Sequence, residues 1–139
     1  MALPLLSTLG KVCMIDALFN GSGYVAAKKS LDAVALRQEA IANNIANLET
    51  PGYRRVDLAP SFKAELAKAC AAGSSEQMSA LKPSLAPDET AVPNSKDGNT
   101  VNFENELLQM NQNTVEHALQ AQLITGRLLR LKLAITGKS

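Results

Sequence analysis

Apolar residues recur at helical intervals through both ends of the chain and lose that rhythm in the middle. Residues 1–19 are amphipathic, with Leu5, Leu9, Val12, Ile15 and Phe19 at helical spacing. Asn20-Gly21-Ser22-Gly23 interrupts the pattern as a breaker. Over 25–48 the rhythm returns as Leu31, Val34, Gln38, Ile41, Ile45 and Leu48. Steps of three and four keep these positions on one face, so the spacing predicts a helix with a heptad-like stripe.

The second long pattern runs over 102–136. Leu107, Thr114, Ala121, Leu128 and Ile135 recur every seven residues, and Met110, His117, Ile124 and Leu131 follow three further on. This is coiled-coil spacing. Asn102 supplies an N-cap, Glu104 and Glu106 fall in the first turn, Arg127, Arg130 and Lys132 lie towards the end, and Gly137 can close the helix. Gly126 is the weak point, costing about 1 kcal/mol against Ala.

The middle is mixed. A short helix is predicted near Pro60–Ala72, with Phe62, Leu66 and Ala69 on one side and Pro60 in the first turn. Gly73-Ser74-Ser75 ends it, and Pro83, Pro87 and Pro93 make 79–100 a loop or extended segment, a strand or hairpin included. Thr50-Pro51-Gly52-Tyr53 has the residues of a type II turn, Pro at i+1 and Gly at i+2. Pro51 also disfavours helical geometry at Thr50, so the first long helix must stop there. Tyr53, Arg54 and Arg55 follow, placed to cap or to touch a neighbour.

Four segments result: 1–24, 25–53, 54–100 and 101–139. The expected fold is mainly α, an elongated coiled-coil-like pair of long N- and C-terminal helices with a loop-rich middle. A helix of about 34 residues is roughly 50 Å long. A compact chain of this size has a radius of gyration near 14 Å. The last helix must therefore protrude or pack against something equally long, in this chain or in another. A three- or four-helix bundle within the monomer is the competing arrangement. Asn43, Asn44 and Asn47, and the many amides of the last helix, are either solvated or set the register of a buried seam.

Composition agrees with packed helices. Hydrophobic residues make up 46% of the 139, aromatics only 4%, and there is no Trp. With 14 Lys+Arg against 13 Asp+Glu, the chain lacks the basic excess of a nucleic-acid binder. No apolar run reaches the ~20 residues that cross a bilayer. The N-terminus lacks a basic region, and no cleavage-like site follows it, so a cleaved signal peptide is not expected.

Catalytic patterns are weak. Gly21-Ser22-Gly23-Tyr24-Val25-Ala26 fits G-x-G-x-x-A but lacks the flanking strands of a dinucleotide fold. His117 is the single histidine and is expected in core or interface packing. Cys13 and Cys70 have no C-x-x-C spacing and read as small buried residues. Glu104 and Glu106 read as helix-start charges. No enzyme activity, cofactor, metal or small-molecule substrate is expected.

Ala40-Ile41-Ala42-Asn43-Asn44-Ile45-Ala46-Asn47 followed by Thr50-Pro51-Gly52-Tyr53 resembles the N-terminal signature of bacterial flagellar axial proteins. The stretch from Asp97-Gly98-Asn99 through Val101, Glu106, Met110 and Asn113 is similar to that family's other terminal half. The resemblance covers roughly 16–62 and 95–137. With room only for a short insert, the chain fits the proximal-rod members. Asp16-Ala17-Leu18-Phe19 and Asp97-Gly98-Asn99-Thr100-Val101-Asn102 resemble the B-type, with the C-type as alternative.

The resemblance implies a structural subunit of the basal-body rod, exported through the flagellar type III pathway without signal cleavage and placed in the periplasmic rod. It implies partners: copies of itself, other rod proteins, and the rod–ring adaptor FliE with membrane-ring and export-gate components at the base. The expected assembly interface comprises Leu31, Ile41, Asn43, Asn44, Ile45, Asn47, Thr50, Pro51, Gly52 and Tyr53 of the first half. Leu107, Met110, Ala121, Ile124, Leu128, Leu131 and Ile135 complete it from the last helix. A small helical interaction or chaperone module is the alternative from another class.

Overall fold

The computed structural model describes residues 21–137. The amphipathic segment 1–19 and Cys13 lie outside them. In chain order the elements are helix α1 (Ser22–Ala46), strand β1 (Val56–Leu58), helices α2 (Pro60–Ala71) and α3 (Ser75–Ala80), strand β2 (Leu85–Pro87) and helix α4 (Phe103–Thr136). The fold is mainly α, with two long terminal helices and a middle of shorter elements.

The two long helices run antiparallel. Asn44 near the end of α1 meets Glu106 near the start of α4, and Gly23 at the start of α1 lies under Arg127. A Cβ at Gly23 would strike the Arg127 guanidinium, so the missing side chain permits that approach. α1 has 25 residues and α4 has 34, and the surplus lies beyond Arg127. The last turns of α4 therefore extend past the start of α1.

Helix ends follow local chemistry. Asn102 accepts a hydrogen bond from the Asn105 N–H and caps α4, while Gly137 closes it in the left-handed conformation with its N–H on the Leu133 carbonyl. Pro60 opens α2 and Gly73 follows its end with φ +64°. The breaker at 20–23 acts differently from expectation: α1 starts at Ser22, so Ser22 and Gly23 are helical.

A small core lies between α1 and the middle segment. Ala33, Leu58 and Phe62 are buried together, with Leu36, Leu66 and Leu81 packed against them. β1 and β2 pair antiparallel, Val56 opposite Pro87, Asp57 opposite Ala86 and Leu58 opposite Leu85. α3, which the sequence pattern does not single out, buries Met78 completely. Cys70 is exposed, contrary to expectation, with Sγ 3.4 Å from Met78 Sδ.

The largest departure concerns register on α4. The residues it buries are Glu106 and Asn113, one position before the expected Leu107 and Thr114. A seven-residue spacing is kept, but two polar side chains occupy it. Leu107, Leu128 and Ile135 face solvent, as does His117. The reason is local: near the start of α4 the facing surface offers Arg55, Asn44 and backbone carbonyls, which answer polar groups and not methyls.

The Thr50–Tyr53 turn forms as expected, with Tyr53 N–H on the Thr50 carbonyl at 3.3 Å and Gly52 at φ +70°. Among the described residues no atom crowds a Cβ at Gly52, so the constraint there is conformational. Gly52→Val should cost about 1–3 kcal/mol, the price of forcing a β-branched residue into that region. Urea unfolding of the two proteins measures it, and an unchanged midpoint would refute the turn's role.

Candidate functional site

The turn does more than end α1. Gly52 N–H donates to the Asp97 carbonyl at 2.8 Å, and Thr100 N–H donates to the Tyr53 carbonyl at 3.1 Å. Arg55 N–H donates to Thr100 Oγ1 at 2.8 Å. The two segments that carry the sequence resemblance, 40–53 and 97–113, are thus in direct contact.

Asn99 fastens them. Its buried Nδ2 lies 2.9–3.0 Å from the carbonyls of Asn47, Leu48 and Thr50 and shares its two hydrogens among them, and its Oδ1 accepts from Val101 N–H at 2.8 Å. These carbonyls lie just past the end of α1, and that of Leu48 receives no backbone N–H among the described turn bonds. Here a side chain from the other half of the chain supplies the donor.

Asn44 performs the matching task one turn earlier. Its amide pairs with both polar groups of Val56: Nδ2 donates to the Val56 carbonyl at 2.8 Å, and Oδ1 accepts from Val56 N–H at 2.9 Å. Nδ2 also donates to Glu106 Oε2 at 3.1 Å, and Tyr53 O–H approaches Oδ1 at 3.4 Å. Asn44 is fully buried, so a helix side chain stands in for a neighbouring strand.

Glu106 is also fully buried. Arg55 Nε donates to its Oε1 at 2.6 Å. The same guanidinium reaches Asp88 at 2.6 Å and Asp57 at 3.0 Å, and Arg37 holds the other Asp57 oxygen at 2.9 Å. Arg37 further donates to Gln109 of α4. One arginine thereby ties β1, the residue after β2 and α4 together. Farther along, Asn113 donates to the Val34 carbonyl and to Gln38 Oε1 across the α1–α4 seam.

Electrostatics follow this geometry. Burial disfavours the charged form of Arg55, but pairing with Glu106 and Asp57 outweighs it and raises its pKa. Burial likewise pushes the Asp57 carboxyl up, while hydrogen bonds from Arg37 and the Leu58 N–H, with the Arg37 charge, hold it below its usual range. Hydrogen bonding from Thr90 lowers Asp88, and Arg55 adds to the effect.

The expected interface residues divide clearly. Ile41 and Asn44 are buried, and Leu31, Ile45, Asn47, Tyr53, Met110, Ala121, Ile124 and Leu131 are half-buried. Asn43, Thr50, Pro51, Gly52, Leu107, Leu128 and Ile135 are exposed. Arg55, Glu106 and Asn99 do more than the sequence reading assigned them. Apart from Asp57 and Val101, their partners lie 33 to 62 positions away, so no local pattern marks them.

Removing one member of a buried pair strands the other's charge, which costs about 3–5 kcal/mol. Arg55→Ala should therefore lower unfolding free energy by about that amount, whereas Arg54→Ala, at an exposed site, should change it by under about 0.5 kcal/mol. Chemical denaturation distinguishes them, and equal effects would refute the hub. The acid limb also has a defined sign. Asp57 and Asp88 have folded pKa values below the ordinary 3.8, so their contribution is present above that pH and lost as pH falls through the depressed values. The melting temperature should drop below pH 4, less steeply in Asp57→Asn/Asp88→Asn. An unaltered slope in that double variant would contradict the assignment.

Part of this junction falls within a segment that matches a known family. A family model described as flagella basal body rod protein matches residues 27–54. The flagellar basal body rod protein FlgB of Escherichia coli (strain K12) is 31% identical, over 73% of this chain and 83% of its own length. That of Borrelia hermsii is 30% identical over 67% and 80%, and that of Yersinia enterocolitica 26% identical over 73% and 84%. The chain belongs to the FlgB-type flagellar basal-body rod proteins, structural subunits of the rod.

Proposed function

We propose that the chain builds the proximal rod by packing the exposed part of α4 against neighbouring subunits, forming a stiff shaft that transmits torque. The carrying observation is the apolar end of α4. Beyond Arg127, Leu128, Leu129, Leu133 and Ile135 are all substantially exposed, Ile135 at 75%. Burying such side chains is worth about 1.5–3 kcal/mol each. α1 begins at Ser22, beside Arg127, and does not extend over them.

The polar junction supports this reading in a different way. It fixes the direction of α4 relative to α1 through Glu106, Arg55, Asn44 and Asn99, so the protruding end is presented at one angle. Neighbours in the proposal are copies of the same chain, other rod proteins and, at the base, the rod–ring adaptor FliE with membrane-ring and export-gate components. Leu31, Ile45, Leu107, Met110, Ala121, Ile124, Leu128, Leu131 and Ile135 contribute apolar surface, and Asn43, Asn47 and the Thr50–Tyr53 turn contribute polar contacts. The site is the periplasmic rod, reached by type III export without signal cleavage. None of the described helices is long and apolar enough to cross a membrane.

Leu128→Asp/Ile135→Asp should leave the melting temperature of the isolated subunit within a few degrees, since both positions are exposed, but abolish rod assembly and motility. Motility in soft agar, with basal-body imaging, reads the result. Normal swimming by the double variant would overturn the proposal.

A further inference from the structure

Two fully buried polar side chains of α4 face α1. The first is Glu106, in the first turn of the helix, where it meets Asn44 and Arg55. The second is Asn113, seven residues or about 10 Å farther on. From Glu106 to Thr136 the helix runs about 45 Å. A tilt of about 10° at Glu106 would carry the far end sideways by about 8 Å, close to the distance between packed helix axes. A second fixed point therefore narrows the angle that the junction sets.

The contacts of Asn113 have a direction. Its side chain is 1% exposed. Nδ2 donates to the Val34 carbonyl at 3.0 Å and to Gln38 Oε1 at 2.8 Å, while Oδ1 has no partner among the described residues. Turning the amide over would set Oδ1 against both acceptors. Gln38 could turn its own amide in reply, but the Val34 carbonyl is part of the α1 backbone and cannot. That carbonyl decides which atom of Asn113 faces α1, and Gln38 must present oxygen to it. An unanswered buried acceptor is unfavourable. Filling the seam does not call for one, since leucine has the same branching at Cγ and carries no oxygen.

We infer that Asn113 is a positioning residue for rod assembly: with Gln38 and the Val34 carbonyl it forms a one-way hydrogen-bond lock that sets the angle of α4 on α1. The inference rests on the rod reading and adds to it the residue that aims the protruding end. Apolar contacts along the seam tolerate small rotations, because the hydrophobic effect is non-directional. A donor aimed at two acceptors does not, since hydrogen bonds weaken steeply with misalignment. Gln38 is exposed, so its identity matters through this contact and not through burial.

Swimming in soft agar by strains carrying each full-length variant in place of the parent chain, with immunoblots for the amount of subunit, tests it. Asn113→Leu should accumulate normally and lose swimming. Gln38→Glu keeps an acceptor before Nδ2 and should swim like the parent. Gln38→Lys opposes donor to donor and should swim more slowly. Normal swimming by Asn113→Leu would overturn the inference, because an apolar residue would then aim α4 as well. Equal swimming by Gln38→Glu and Gln38→Lys would overturn it too. So would depletion of Asn113→Leu from the cell, which would make Asn113 a folding residue. Swimming by a strain that lacks the chain altogether would instead refute the rod reading, whereas the contrast between the two Gln38 variants bears on the lock alone.

Discussion

A carboxylate with no surface in water needs a cation and donors placed before it is buried. Glu106 imposes that demand on everything around it. Arg55 answers with charge and Asn44 with a hydrogen bond, and each arrives from a different part of the chain. α4 can dock only in the register that brings Glu106 to them. A row of leucines would have tolerated sliding by a turn or rotation by a residue. The ion pair gives geometric selectivity more than net stability, since desolvation consumes much of its attraction.

The same logic explains why amides sit where apolar side chains were expected. Asn44, Asn99 and Asn113 each bind backbone carbonyls that a hydrophobic residue would leave unanswered. The lengths and locations of the long helices were legible because periodicity and capping are local. So were the short helix from Pro60 and the turn at Gly52. The register of α4 was not legible, because heptad counting scores Leu107 above Glu106 and takes no account of Arg55. Cys70 misled for a related reason: a small residue carries no directional signal, and it is exposed. The strand pair required knowing that residues 56–58 and 85–87 meet, which their short runs do not announce.

α4 thus has three kinds of surface. One side is polar and specific, held to α1 and β1. The end beyond Arg127 is apolar and uncovered by α1. The side opposite α1 is apolar, periodic and interrupted by a glycine. A long helix divided in this way has one fixed internal geometry and leaves more than one apolar face uncovered among the described residues.

The middle of the chain leaves and rejoins the long helices at nearly one place. Val56 pairs with Pro87, the Arg55 carbonyl receives Asp88 N–H, and Gly52 meets Asp97. The excursion between these points is therefore a closed detour whose entrance and exit are clamped side by side. The clamp therefore holds the ends of the detour together independently of the number of residues between them, while Leu58 and Phe62 anchor its first part on Ala33 of α1.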